Sequence, residues 1–215
     1  MTRRVIAMLV AATFCSLAVI IDRIAVKVGK RVITESAILQ EIRLTSFLNG
    51  ERPDFSSTSM KKTADRMVDQ LLFLNEMELS QYPPPQPSEV DTQLAKVKRE
   101  HFPDETKYRA ALASYGVTEE ELKQFLQRQI YILGFIDARF RPGVQITERE
   151  MLEFYAKKFV PEWNNKSKAG PPNFGEVKSQ IEQALTADRV NQLIEAWLKE
   201  ARTRTRVEFM NGVFP

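Results

Sequence analysis

Beyond Ile21 the chain has no cysteine; its single one, Cys15, lies in the apolar start. The remaining part can therefore hold no disulfide and offers no thiol nucleophile. Histidine is as scarce. His101 stands alone, so the usual zinc ligand sets stay unfilled and no Ser–His or Cys–His pair is signalled. The 8 glycines are scattered singly and form no glycine-rich loop to cradle a phosphate. An excess of one charge is missing too: 31 Lys and Arg against 28 Asp and Glu give +3, and Arg3 and Arg4 account for two of those cations. A balance that close to zero supplies no basic footprint for nucleic acid.

What is present begins with a sorting signal. Met1-Thr2-Arg3-Arg4 precedes an uncharged run, Val5 to Ile21, in the order of a secretory signal. Ser16-Leu17-Ala18 places small side chains where a signal peptidase reads, so residues 1–18 are expected to be removed on export. The run is also close to the lower length for a spanning helix, and retention as a membrane anchor is the alternative. Phe14 is too bulky for the usual lipid attachment at Cys15.

Strand signals occur only at the two ends of the remainder. Ile24, Val26 and Val28 alternate as one apolar face, Gly29-Lys30 suits a tight hairpin turn, and Arg31-Val32-Ile33 follows. Because so short a hairpin needs a third strand, Thr205–Phe209 is expected to pair with it and close the molecule end to end.

Between the ends the pattern is helical. Thr34 caps a helix to about Phe47. A second runs from about Ser59 to Leu79, its stripe including Ala64, Val68, Leu72 and Leu79, and Pro83-Pro84-Pro85 stops it. Further helices are expected over Ser88–Glu100 and Asp104–Tyr115, the latter closed by Gly116. Thr118 with Glu121, and Thr147 with Glu150, form capping boxes that open helices to Phe140 and to about Phe159. Residues 160–172 read as a polar linker, and a long helix from Gly175 to Arg202 faces Val177, Ile181, Leu193 and Trp197 inward.

No catalytic constellation emerges. Glu119-Glu120-Glu121 fall in a first helical turn, where the macrodipole favours acids, and His101 reads as a loop residue between helices. No cofactor, no metal and no catalytic residue is expected. Aromatic residues are plentiful for a helical chain. Tyr131 and Phe135 stand off the stripe of Leu126, Leu133 and Phe140, which means either packing between neighbours or an exposed binding surface. With Tyr115 and the adaptable Met151, they are the candidate peptide-binding residues.

Ile21-Asp22-Arg23-Ile24-Ala25-Val26, followed by Val32-Ile33-Thr34-Glu35-Ser36, resembles the opening of the SurA-like periplasmic chaperone family. The resemblance continues through Ala111–Thr118, the Leu122–Arg139 helix and Ile146-Thr147-Glu148-Arg149-Glu150-Met151. It implies a helical chaperone core (19–159) that such proteins follow with parvulin-type prolyl isomerase domains and a returning helix and strand (173–215). Here only 160–172 stands where a parvulin domain would be, far short of the length of a compact domain. The resemblance thus implies a mainly α fold closed by a small antiparallel sheet, without isomerase activity. The expected function is an ATP-independent periplasmic holdase for unfolded polypeptides, such as outer-membrane protein precursors. An envelope adaptor with one dedicated folded partner is the alternative.

Overall fold

The computed structural model describes residues 22–167 and 169–214. The export signal expected over 1–18, Cys15 included, lies outside the described residues.

Strand β1 (Ile24–Val28) turns at Gly29 into β2 (Arg31–Thr34), and β3 (Val207–Phe209) returns from the far end of the chain. β1 lies in the middle, antiparallel to both neighbours, in the order β2-β1-β3. Gly29 takes φ +58°, a conformation costly for any residue with a Cβ, and its N–H donates to the Arg206 carbonyl at 2.9 Å. The turn thus fixes both pairings. The expected end-to-end closure is present, with one correction. The register shifts between Ile24 and Val26, so Ala25 is the extra residue of a bulge. Ala25 and Val26 are both buried, and Ile24 is turned outward at 40% exposure instead of joining the apolar face.

The fold is mainly α. Helix α1 (Glu35–Asn49) starts where the Thr34 hydroxyl accepts from the Ala37 N–H, and ends at Gly50 in the left-handed region. α2 (Ser57–Leu79), α3 (Pro87–His101) and α4 (Glu105–Tyr115) follow. Pro87 sits in the first turn of α3, where its missing N–H leaves no bond unmade. α5 (Glu119–Phe140) and α6 (Glu148–Phe154) both open on complete capping boxes, Thr118 with Glu121 and Thr147 with Glu150.

The expected linker is partly helix. A π-turn over Tyr155–Phe159 continues α6 directly into α7 (Val160–Lys166). The π-turn shifts the hydrogen-bond register, with the Val160 N–H bonded to the Tyr155 carbonyl, so Pro161 enters at the start of a new helical run. The non-helical connection therefore begins at Ser167, not at Val160. After it, α8 (Phe174–Arg204) spans about 46 Å.

That length lets α8 pass three apolar clusters in turn. Val177 and Ile181 pack with Met151, and Val190 joins Phe73, Phe135 and Phe140. Ala201 reaches the sheet cluster of Val26, Val28, Ile38 and Val68. Arg202 then ties α8 to α2 through Asp69 (Nε to Oδ1, 2.8 Å) and Asp65 (3.2 Å). A fourth cluster lies off this axis, where Phe47 of α1 meets Leu94 of α3, Tyr108 of α4 and Leu122 of α5.

Three residues expected on inward stripes face solvent: Leu79 (82% exposed), Leu133 (61%) and Leu193. In α5 the buried positions are Leu122, Phe125 and Leu126, then Ile132, Phe135 and Phe140. The buried side turns as α5 leaves the α1–α3–α4 cluster for the one it shares with α2 and α8. A stripe inferred from one helix does not contain that change of neighbour.

Candidate polypeptide-binding cleft

The four residues singled out in the sequence do not share a site. Tyr115 stands edge-on to Phe47 at 5.6 Å, and its hydroxyl donates to the Glu51 carbonyl at 2.9 Å, pinning the turn after α1. Tyr131 stacks on Tyr82 at 5.8 Å and donates to the Tyr82 carbonyl at 2.6 Å. It thereby holds the proline segment between α2 and α3 against α5. Gly134 makes room there, since a Cβ at this position would stand 3.1 Å from the Tyr82 hydroxyl. Phe135 is buried between Tyr82 and Phe73, and Met151 is buried against Val177 and Ile181. Of the two readings left open for Tyr131 and Phe135, the geometry gives packing between neighbours. Met77, another adaptable side chain, is fully buried as well.

A concavity lies elsewhere, where α1, α2, α3 and α5 meet. It is an open cleft of about 420 Å³, within the size range of ordinary ligand sites. Leu48 of α1 with Phe125 and Leu126 of α5 supply apolar surface. Around them stand four side-chain amides, one from each helix: Asn49, Gln70, Gln93 and Gln129. Each amide carries both a donor and an acceptor, as a peptide unit does. Nothing in the residue pattern points to this ring, because a lone Asn or Gln on a helix ordinarily marks nothing more than a solvated face.

One wall is ionic. Glu41, 5% exposed, accepts from Arg128 Nη2 at 2.5 Å and from Gln70 Nε2 at 3.2 Å. The Arg128 guanidinium also lies 5.4 Å from the Phe125 ring centre, and its Nε is buried without a hydrogen-bond partner among the described residues. This pair joins α1 to α5 and holds Gln70 of α2 in place.

The cleft has continuations. A smaller depression lined by Arg52, Lys62 and Asp54 shares Thr45, Asn49 and Arg66 with it. Another, lined by Gln40, Gln124 and Arg128, shares Glu41 and Phe125. The cleft thus leads on along α1 in both directions, and is not a closed pocket.

Reactive chemistry is not gathered around it. His101, at the end of α3, is exposed and tilted toward Phe102. The Glu119 carboxyl is held below its ordinary value chiefly by a hydrogen bond from Lys98, while burial of Tyr108 and the nearby Glu119 charge push that hydroxyl up. These shifts belong to a packing cluster between α3, α4 and α5, in which the Lys98 ammonium also sits 4.3 Å above the Tyr108 ring. Among the described residues no three His, Cys, Asp or Glu side chains gather as metal ligands, and no helix is long and apolar enough to cross a membrane. No family model matches the chain, and no curated protein matches it.

Proposed function

We propose that the protein is an ATP-independent chaperone that holds extended segments of unfolded polypeptides in the cleft between α1, α2, α3 and α5, after export to the periplasm. The observation that carries this reading is the pairing of an apolar floor (Leu48, Phe125, Leu126) with amides from all four helices. Such a surface suits chains of many sequences. The amides answer the backbone, which every client has, while the floor takes whichever apolar side chain arrives. A cleft of this size contacts only a few residues at a time. The apolar area covered, at roughly 25 cal/mol per Å², is then offset in large part by ordering of the client, which keeps binding reversible. The resemblance in the sequence to the SurA-like chaperone family supports the same class, with binding and not isomerisation as the activity.

The test is light scattering from a denatured outer-membrane protein diluted into buffer with and without this protein. Suppression near stoichiometric amounts is expected. Gln129→Trp, which fills the cleft from a half-buried position, is expected to need several times more protein for the same effect. If the folded wild-type protein leaves aggregation unchanged, the holdase reading fails and a dedicated folded partner becomes the better account.

A further inference from the structure

The two ends of the cleft differ in the charge they leave unspent. At the end lined by Gln40 and Gln124 both carboxylates have partners. Glu41 is held by Arg128, and Glu121 accepts from the Thr118 N–H at 2.7 Å and from its hydroxyl at 2.9 Å. The opposite end is cationic. Arg52, from the connection after α1, lines it together with Lys62 and Arg66, which lie one turn apart and so on one side of α2. None of these three has an ion pair among the described residues. The one side-chain hydrogen bond they make there runs from Arg66 Nη2 to the buried Thr63 hydroxyl, at 3.1 Å.

The neighbouring acids are engaged elsewhere. Asp65 and Asp69, at the same level of α2, are held by Arg202 of α8. Asp54 belongs to the lining, but its two oxygens accept from the Ser56 N–H at 2.9 Å and hydroxyl at 3.0 Å, which fastens the start of α2. Glu51 is the other acid of the lining, and among the described residues its side chain accepts only from the Asn49 amide, at 3.5 Å. Three cations against two acids leave a net +1, and most of the guanidinium and ammonium hydrogens lack an acceptor among the described residues. Arg66 joins this end to the cleft proper, since it lines both. A chain that rests an apolar side chain on Leu48, Phe125 and Leu126 therefore passes Arg66 where it leaves toward the start of α2.

We propose that the cleft prefers apolar–acidic segments, with an apolar side chain on the floor and aspartate or glutamate, within the next few residues, meeting Arg66, Lys62 and Arg52. The inference rests on the holdase reading and adds the class of client to it. Side-chain carboxylates fit better than a chain terminus. The cleft is open at this end, so nothing stops the chain there, and cations on two elements offer more than one place for a carboxylate. Exposed pairs are individually weak and screened by salt, so together they add a preference of about tenfold in affinity at low ionic strength.

The test is fluorescence anisotropy of rhodamine-labelled, C-terminally amidated peptides with one apolar centre flanked by Glu, Gln or Lys, titrated with the full chain. The Glu peptide is expected to bind about tenfold more tightly than the Gln peptide at low salt, and the Lys peptide least well. In Arg52→Gln/Lys62→Gln that advantage should fall to about twofold while the Gln peptide binds as before. The control Lys30→Gln/Lys199→Gln removes the same charge elsewhere and should keep the advantage; circular dichroism checks that both variants are folded. Equal binding of the Glu and Gln peptides, or an advantage that survives Arg52→Gln/Lys62→Gln, overturns this inference and leaves the holdase reading standing. Failure of all three peptides to bind sinks both. A Gln peptide with a free C-terminal carboxylate that outcompetes the Glu peptide overturns the inference in favour of chain-end recognition.

Discussion

Replacing Arg128 by Met leaves Glu41 buried at the cleft wall with a single weak donor. In the wild type that carboxylate, 5% exposed, has Arg128 at 2.5 Å and Gln70 at 3.2 Å. Removing one partner of a fully buried ion pair costs roughly 3–5 kcal/mol, because the remaining charge stays desolvated. Arg128 itself is 32% exposed, and Gln70 remains, so the expected loss is reduced to about 2–3 kcal/mol. The double variant Glu41→Leu/Arg128→Met should recover most of that loss. It removes both charges, and with them the guanidinium Nε that is buried without a partner among the described residues. Urea unfolding at neutral pH of the wild type, both single variants and the double variant gives the coupling directly. If Arg128→Met stays within about 0.5 kcal/mol of wild type, or if the double variant is as unstable as the sum of the singles, the pair does not join α1 to α5 as argued.

Two other perturbations test the packing and its electrostatics. Phe135→Ala and Met151→Ala, both in buried clusters, should cost about 3–5 and about 2–5 kcal/mol, whereas Leu133→Ala on the exposed side of α5 should stay within about 0.5; thermal melts that rank Leu133 with Phe135 would contradict the assigned orientation of α5. The Glu119 carboxyl, held below 4.5 chiefly by the Lys98 hydrogen bond at 2.7 Å, contributes stability that is present above its unfolded value and is lost as pH falls through the lower folded one. Melts between about pH 6 and about pH 3 should therefore fall less steeply in Glu119→Gln, and an unchanged slope would assign the acid sensitivity to other carboxylates.

Whatever closes within a few residues was legible along the chain. Thr118 with Glu121 and Thr147 with Glu150 were legible as helix starts because each box is satisfied inside one turn. Gly116, left-handed at φ +65°, was legible as a stop for the same local reason. The pairing of the two chain ends was legible too, since a short hairpin lacked a third strand and only one remote segment alternated. The tertiary structure alone decided what depends on distant neighbours. It moved the buried side of α5 from Leu133 to Ile132 and Phe135, because α2, α8 and Tyr82 approach from that direction. It carried the helix through Pro161, where a π-turn resolved the clash a sequence rule treats as a stop. It also brought Asn49, Gln70, Gln93 and Gln129 from four helices to one cleft. Periodicity reports burial along a single helix; which solvated faces converge is set by how helices cross, and no spacing within any one of them encodes it.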